Sequence, residues 1–406
     1  MAEKHKRLLY KDALLSTVFV FLCIGIFAYN PINLKVFNLI AKTLKDIEFT
    51  DIIFSGKNAN KNDINAKISN DIVIINAADR GRAEIAQLIN KINEENPKVI
   101  GLDFVFEGPK DFYSDSLLKK AIENTHKIVL ASKFKNEQGE SHEYIEPSST
   151  LGNCKSGYAN LMIPSMDKTV RFFRSKDKVK GKIVYPFSLE IVKQVNSEKA
   201  EKFINRNKDF ELINYQGNLE TLHHINGNDI IKNNFPKGFF KNKIILIGFY
   251  ASDCNPNPIL DDYFYTPLNE KIIGRKFPDT YGIVIQANIV NMILSENYIN
   301  KTSATFDWIL GFIICFLHNL IFLKLYVHRH LWYHVNAKFI QLGTSFLLIL
   351  LFIYFFKTFN IKLSASPFLV PLILTVDLLY FYEAILLWIN KKRKVKTYFT
   401  TGAKHY

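Results

Sequence analysis

Six residues have types that bind polar ligands and stand where a fold could present them: Asp79, Arg80, Asp103, Arg171, Asp262 and Thr266. Asp103 interrupts the apolar run of "NPKVIGLDFVFEGPKD" (96–111). Asp79 and Arg80 follow the run "DIVIINA", and Asp262 and Thr266 lie around the turn "YFYTPL". Carboxylates, an arginine and a hydroxyl supply ion pairs and hydrogen bonds, so the expected arrangement is a ligand site walled by Asp103, Arg171 and the "YTPL" turn. A second reading stays open for Asp103, in which its carboxylate caps a turn or accepts backbone N–H bonds.

Catalytic chemistry finds no such foothold. Asp261 and Asp262 are adjacent in a turn, as are His223 and His224, and adjacent side chains rarely converge on one substrate. "NAADRGRAE" holds one glycine where a dinucleotide fingerprint needs three, and neither a P-loop, a CxxC, an HExxH nor a nucleophile elbow occurs. The expectation is a protein that is not an enzyme and carries no cofactor or metal.

The elements that must position these residues are legible from about residue 71. "DIVIINA", "PKVIGLDFVF" and "HKIVLAS" are β-rich apolar runs, separated by helical patterns in "DRGRAEIAQLINKINEEN" and in "SDSLLKKAIENT", with Ser114 as its cap. This βαβαβ order predicts parallel strands joined by right-handed crossovers and covered on both faces. "FELINY" and "NKIILIGFY" are expected in the same sheet, and the helix "TYGIVIQANIVNMILSEN" is expected to lead into a membrane span. Residues 30–70 read as a helix leaving the first span, then a loop. Asp79, Asp103 and Asp253 then fall at carboxyl ends of strands, where parallel sheets collect ligands.

Of 406 residues 48% are hydrophobic, and their distribution isolates four nearly charge-free windows, 13–29, 306–326, 339–356 and 367–389. Roughly 20 helical residues cross a bilayer core, so four transmembrane helices are expected. A basic n-region precedes the first, but its run is long and no small-residue cleavage site follows, so it reads as an uncleaved anchor. The segments 1–12, 327–338 and 390–406 carry the short-range excess of Lys and Arg and are expected in the cytoplasm. That leaves 30–305 as an extracytoplasmic domain and 357–366 as an outer loop. The net charge of +14 then reflects anchoring in a lipid bilayer rather than nucleic-acid binding. Cys154 and Cys254 either close a disulfide or stay as two thiols.

The order "PKVIGLDFVF", "DSLLKKAIE", "KIVLAS", "SGYANL", "TVRFFRS", "YPFSLEIV", "FELINYQG", "KNKIILIG", "DDYFYTPL" and "YGIVIQANIVNMIL" resembles the second class of CHASE domain over about residues 45–300, with three trailing membrane helices. The resemblance implies an extracellular sensory module of a bacterial inner-membrane receptor. Its first strand commonly ends in Asp, with an aromatic-proline insertion after it, and its last helix carries His-Ala-Asn. Here those places hold Asn76, "AADRGRAE" and Gln286-Ala287-Asn288. Receptors of this class place a cyclase or kinase after the last helix, whereas 17 residues follow Ile389. The expectation is a periplasmic-facing sensor of a ligand or envelope protein that signals through a separate membrane or envelope partner, with a homo-oligomer as a further possible association. The alternative is a structural or docking subunit of an envelope complex.

Four ionisable or imidazole side chains fall in the spans: His318, Lys324, Asp377 and Glu383. Such groups are costly in lipid and find partners. Equal six-residue spacings predict the pairs His318–Asp377 and Lys324–Glu383, with lysine snorkelling and a histidine–carbonyl bond as the alternative.

Overall fold

The computed structural model describes residues 2–29, 49–59, 70–135, 143–163, 168–251, 262–269, 277–328, 332–393 and 395–402. Two units emerge, one of residues 1–44 with 300–406 and one of residues 45–299.

The chain opens with helix α1 (Ala2–Tyr29), and α2 (Phe49–Ala59) begins the second unit. The remainder of the expected helix and loop over 30–70, like Asp253 and Cys254, lies outside the described residues. Then β1 (Ile72–Asn76), α3 (Arg82–Asn93), β2 (Val99–Leu102), α4 (Phe112–Glu123) and β3 (Ile128–Lys135) follow in the expected βαβαβ order. Each of β1 and β2 is buried along its whole length, as a strand covered on both faces must be. Helix α4 starts three residues earlier than a Ser114 cap implies. Asp111, not Ser114, is the cap, its carboxylate accepting from the Ser114 N–H at 2.8 Å.

Strands β4 (Glu143–Ile145) and β5 (Lys155–Tyr158) pair with β3, the first antiparallel and the second parallel. Three short strands come next, β6 (Phe172–Arg174), β7 (Asp177–Val179) and β8 (Lys182–Val184). Helices α5 (Phe187–Val195) and α6 (Ser197–Asn205) and strand β9 (Phe210–Leu212) follow. After β10 (His223–Asn226), α7 (Gly227–Ile231) and β11 (Ile244–Gly248), the unit closes with β12 (Tyr263–Phe264), β13 (Thr280–Tyr281) and α8 (Gly282–Ser295). The sheet runs β10-β1-β11-β2-β3, with β5 alongside β3, and all these pairings are parallel.

"FELINY" is not in that sheet. Its strand β9 pairs antiparallel with β6 in a separate two-stranded ribbon. Glu211, buried in the middle of β9, receives the Arg206 guanidinium at 2.6 Å, and a parallel core strand has no room for such a pair. One face of the sheet packs α3, α4 and α7 through Val73, Ile75, Leu102 and Ile247. The other packs α5 and α8, and glycines set how close they come. A Cβ on Gly157 would lie 2.8 Å from the backbone of Phe187, and one on Gly248 would lie 2.9 Å from Ile283.

The other unit holds α1, a two-residue bridge of β14 (Asn300–Lys301) with β15 (Ile361–Lys362), and the helices α9 (Ala304–His328), α10 (Tyr333–Phe359), α11 (Ser366–Arg393) and α12 (Tyr398–Gly402). The apolar spans His5–Ile26, Ala304–Val327, Tyr333–Phe359 and Ser366–Arg393 have 22, 24, 27 and 28 residues, each long enough to cross a membrane. Outward-facing Phe339, Leu342, Phe346 and Leu347 on α10 are exposed, as a surface suited to lipid requires.

Candidate ligand site at the carboxyl edge of the sheet

At the carboxyl edge the strand ends are held in register by backbone bonds: the Asp103 N–H donates to Ile247 at 2.8 Å, and the Ala77 N–H to Gly248 at 2.9 Å. Asp103 follows β2 directly, at the carboxyl end of its pairing with β11. Asp262 begins the segment that leads into β12 and lies against Gly282, the first residue of α8, where any Cβ would overlap its carboxylate. The two carboxylates are partly buried, and Asp103 feels the charge of Asp262. Burial, with the Asp262 charge added to it, pushes the Asp103 carboxyl up to about 8, and burial pushes Asp262 up to about 7. Among the described residues neither carboxylate has a hydrogen-bond donor.

Aromatic rings stand beside them. Tyr263 and Tyr281 have centroids 4.6 Å apart, and Tyr281 also meets Phe249 edge-on at 6.3 Å. The turn after Asp103 is braced from behind: Arg82 pairs with buried Asp115 and donates to the Gly108 carbonyl at 2.7 Å, while Asp115 accepts from the Lys110 N–H at 3.0 Å.

The other four candidates do not join this pair. Arg80 donates to the Ala77 carbonyl at 2.7 Å and to the Asn228 side chain, tying the end of β1 to α7. Asp79 is exposed in the turn before it. Arg171 is buried against Asp51 of α2, through Nη2–Oδ2 at 2.7 Å and Nε–Oδ1 at 3.2 Å. Thr266 donates from its hydroxyl to one Asp279 oxygen at 2.5 Å and from its N–H to the other at 2.8 Å, which closes the "YTPL" turn. The expected wall of Asp103, Arg171 and Thr266 is thus a carboxylate pair with two structural residues elsewhere. Nothing in the spacing could reveal that Arg171 has its partner 120 residues earlier.

The sequence model of the CHASE2 domain matches residues 36–323. The chain belongs to the CHASE2 domain family. No curated protein and no solved structure matches it. CHASE2 is a sensory domain family, and two of the departures noted in this member, Asn76 and Gln286-Ala287-Asn288, have structural explanations. Asn76 donates to the Tyr250 carbonyl at 2.7 Å while its Oδ1 accepts from the Ala78 N–H at 3.0 Å, and an ionised aspartate could not make the first bond. Gln286 donates to the Ala159 carbonyl at 3.0 Å, and Asn288 bridges the Gly217 carbonyl and the Gln216 N–H. In this CHASE2 protein those positions bind the domain together.

In the helical unit the expected His318–Asp377 pair is replaced by two other contacts. His318 Nδ1 meets the Ile314 carbonyl at 2.9 Å, and Asp377 accepts from Lys338 of α10 at 3.0 Å. Depth along the helices allowed the pair, but rotation does not. The buried face of α11 is Leu372, Thr375, Val376, Leu379 and Tyr382, which turns Asp377 outward. Glu383 receives the Tyr326 hydroxyl, and Lys324 is exposed on α9. The interior polar contacts are ones that hydropathy did not single out: Asn319 donates to Thr17 at 2.9 Å, and Cys315 meets Thr375 at 3.1 Å.

Proposed function

We propose that this CHASE2 protein is a membrane-anchored sensor whose α/β domain lies outside the cytoplasm and takes a positively charged ligand between Asp103 and Asp262. The pair itself carries this reading: two partly buried carboxylates, Asp103 in the field of Asp262, without donors among the described residues, at the edge where parallel α/β sheets bind ligands. A cation there offsets both the burial of the two carboxylates and the repulsion that Asp262 exerts on Asp103, and the Tyr263 and Tyr281 rings offer faces to an organic ammonium group. The domain's state passes through the helices to a separate protein. The lysine and arginine excess on the short segments supports cytoplasmic placement of both ends. Reporter fusions at His328 and at Lys362, on either side of α10, should be active in the cytoplasm and outside it respectively, and the reverse result would reject this orientation.

The site makes its own pH signature. Both folded-state values lie above the ordinary carboxylate value of about 4, so between about pH 4 and pH 8 the folded protein keeps protons that the unfolded chain has lost. Stability therefore falls as pH rises through that window. Asp103→Asn should raise stability near pH 8 by on the order of 2 kcal/mol and change little near pH 4. In the full-length protein in mild detergent, calcium or spermidine should raise the thermal midpoint of the unsubstituted chain, and Asp103→Asn with Asp262→Asn should abolish the shift. A shift that survives both substitutions, or none from either probe, refutes the site.

One observation favours a docking role instead. Phe112 and Tyr113 stand 89% and 71% exposed beside the braced 107–111 turn, as aromatic anchors of a protein interface do. Stoichiometric co-purification lost with Phe112→Ala and Tyr113→Ala, alongside an unresponsive carboxylate pair, would select that reading.

A further inference from the structure

The helical unit contains a contact between elements far apart in the chain. Thr397, Tyr398 and Phe399, at the start of α12, are 1%, 2% and 6% exposed, although α12 has only five residues and follows the charged end of α11. Burial on that scale needs a prepared seat. Phe399 packs edge-on against Tyr326 of α9 at 5.6 Å and tilts against Tyr382 of α11 at 6.3 Å, while the Tyr398 ring lies 4.5 Å from His5 of α1. The seat includes Leu9 and Ala13 of α1, both in the same apolar cluster.

The seat also holds a buried charge-bearing group. Asp12 of α1 is 1% exposed, and its Oδ2 accepts from the Tyr398 backbone N–H at 2.6 Å. Among the described residues that N–H is its one hydrogen-bond donor. A buried carboxyl group stripped of its partner is strongly disfavoured, so α12 cannot lift away while Asp12 stays where it is. The two must move together.

We propose that α12 is a latch that clamps α1 to α9 and α11, and that its release is the step by which this helical unit changes state. In chain order α1 precedes the α/β unit and α9 follows it. The latch touches both. A shift of α1 along its neighbours by about one helical turn, roughly 5.4 Å, carries His5 and Asp12 away from Tyr326 and Tyr382. Helix α12 cannot follow both groups, so it must let go of one. Release would uncover the apolar seat and free α12 at once, turning a displacement between helices into a change of surface. This argument stands on the helical unit alone and is independent of what the α/β domain binds.

The test is thiol accessibility in the full-length chain in mild detergent. Cys23, Cys154 and Cys254 are replaced by serine, and Cys315, which is 1% exposed in the bundle, stays as the internal control. Thr397→Cys should react with a maleimide about tenfold or more slowly than Lys396→Cys at the exposed neighbouring position. Adding Asp12→Ala, or Phe399→Ala as a second route, should remove most of that protection while Cys315 stays unlabelled. Equal rates at 396 and 397 in the unsubstituted background overturn the proposal. So does protection that persists with both substitutions, and so does labelling of Cys315 in step with 397, which would mean the whole bundle opens rather than a latch.

Discussion

Replacing Arg171 with alanine should destabilise the α/β domain by about 3–5 kcal/mol. The side chains of Arg171 and Asp51 are 7% and 4% exposed and are joined by two hydrogen bonds, so removing the guanidinium leaves a carboxylate in a place water hardly reaches. The pair fastens α2 to the segment leading into β6, where Phe54 also meets Tyr215 edge-on at 6.1 Å. Because bringing both charges out of water is itself costly, Arg171→Met combined with Asp51→Leu should recover most of the loss. Hydrogen exchange of the β1 and β11 amides in the full-length protein gives the readout. A single-substitution loss under about 1 kcal/mol would show that the pair behaves as a solvated one.

The second large effect is expected in the helical unit, at Gly311. Pro371 inside α11 has no N–H to give the Pro367 carbonyl one turn earlier. That oxygen lies directly over Gly311 of α9, where any Cβ would overlap it. The close approach therefore needs both residues: proline leaves the carbonyl without its helical donor, and glycine lets α9 come near enough to meet it. Gly311→Ala should destabilise the bundle by about 1–3 kcal/mol, and Gly311→Leu by more. Gly343 of α10 has open space around it, so Gly343→Ala should be neutral or should stabilise by up to about 1 kcal/mol. Unfolding by a denaturing detergent in mixed micelles measures both, and equal responses at the two glycines would refute the close crossing.

The sequence by itself determined the elements with strong local periods. Continuous apolar runs became β1, β2, β3 and β11, the intervening patterns became α3 and α4, and hydropathy isolated the four long helices. These follow from short-range physics: a strand covered on both faces must be apolar throughout, and a helix in lipid must be apolar on its outer surface. The placing of Asp103 at a carboxyl edge was legible for the same reason, since it ends an apolar run. Asp111 is an instructive small miss, because both it and Ser114 are capping types and only the backbone path chooses between them.

Partnership was decided by the tertiary structure. Arg171 looked like a ligand residue until the fold brought Asp51 to it, and Thr266 until Asp279 closed its turn. "FELINY" had a strand's composition, but the buried Glu211 with its Arg206 partner belongs to a ribbon and not to the main sheet. Asp262 was a ligand candidate by its place before the "YTPL" turn, but only the fold brings its charge within reach of Asp103. His318 and Asp377 matched in depth, yet a helix turns about 100° per residue, and the packing of α11 pointed Asp377 at Lys338. Local periods fix which face of an element is apolar. Which two faces meet, and in what rotation, depends on chain paths tens of residues long, and there the packing of the whole unit decides.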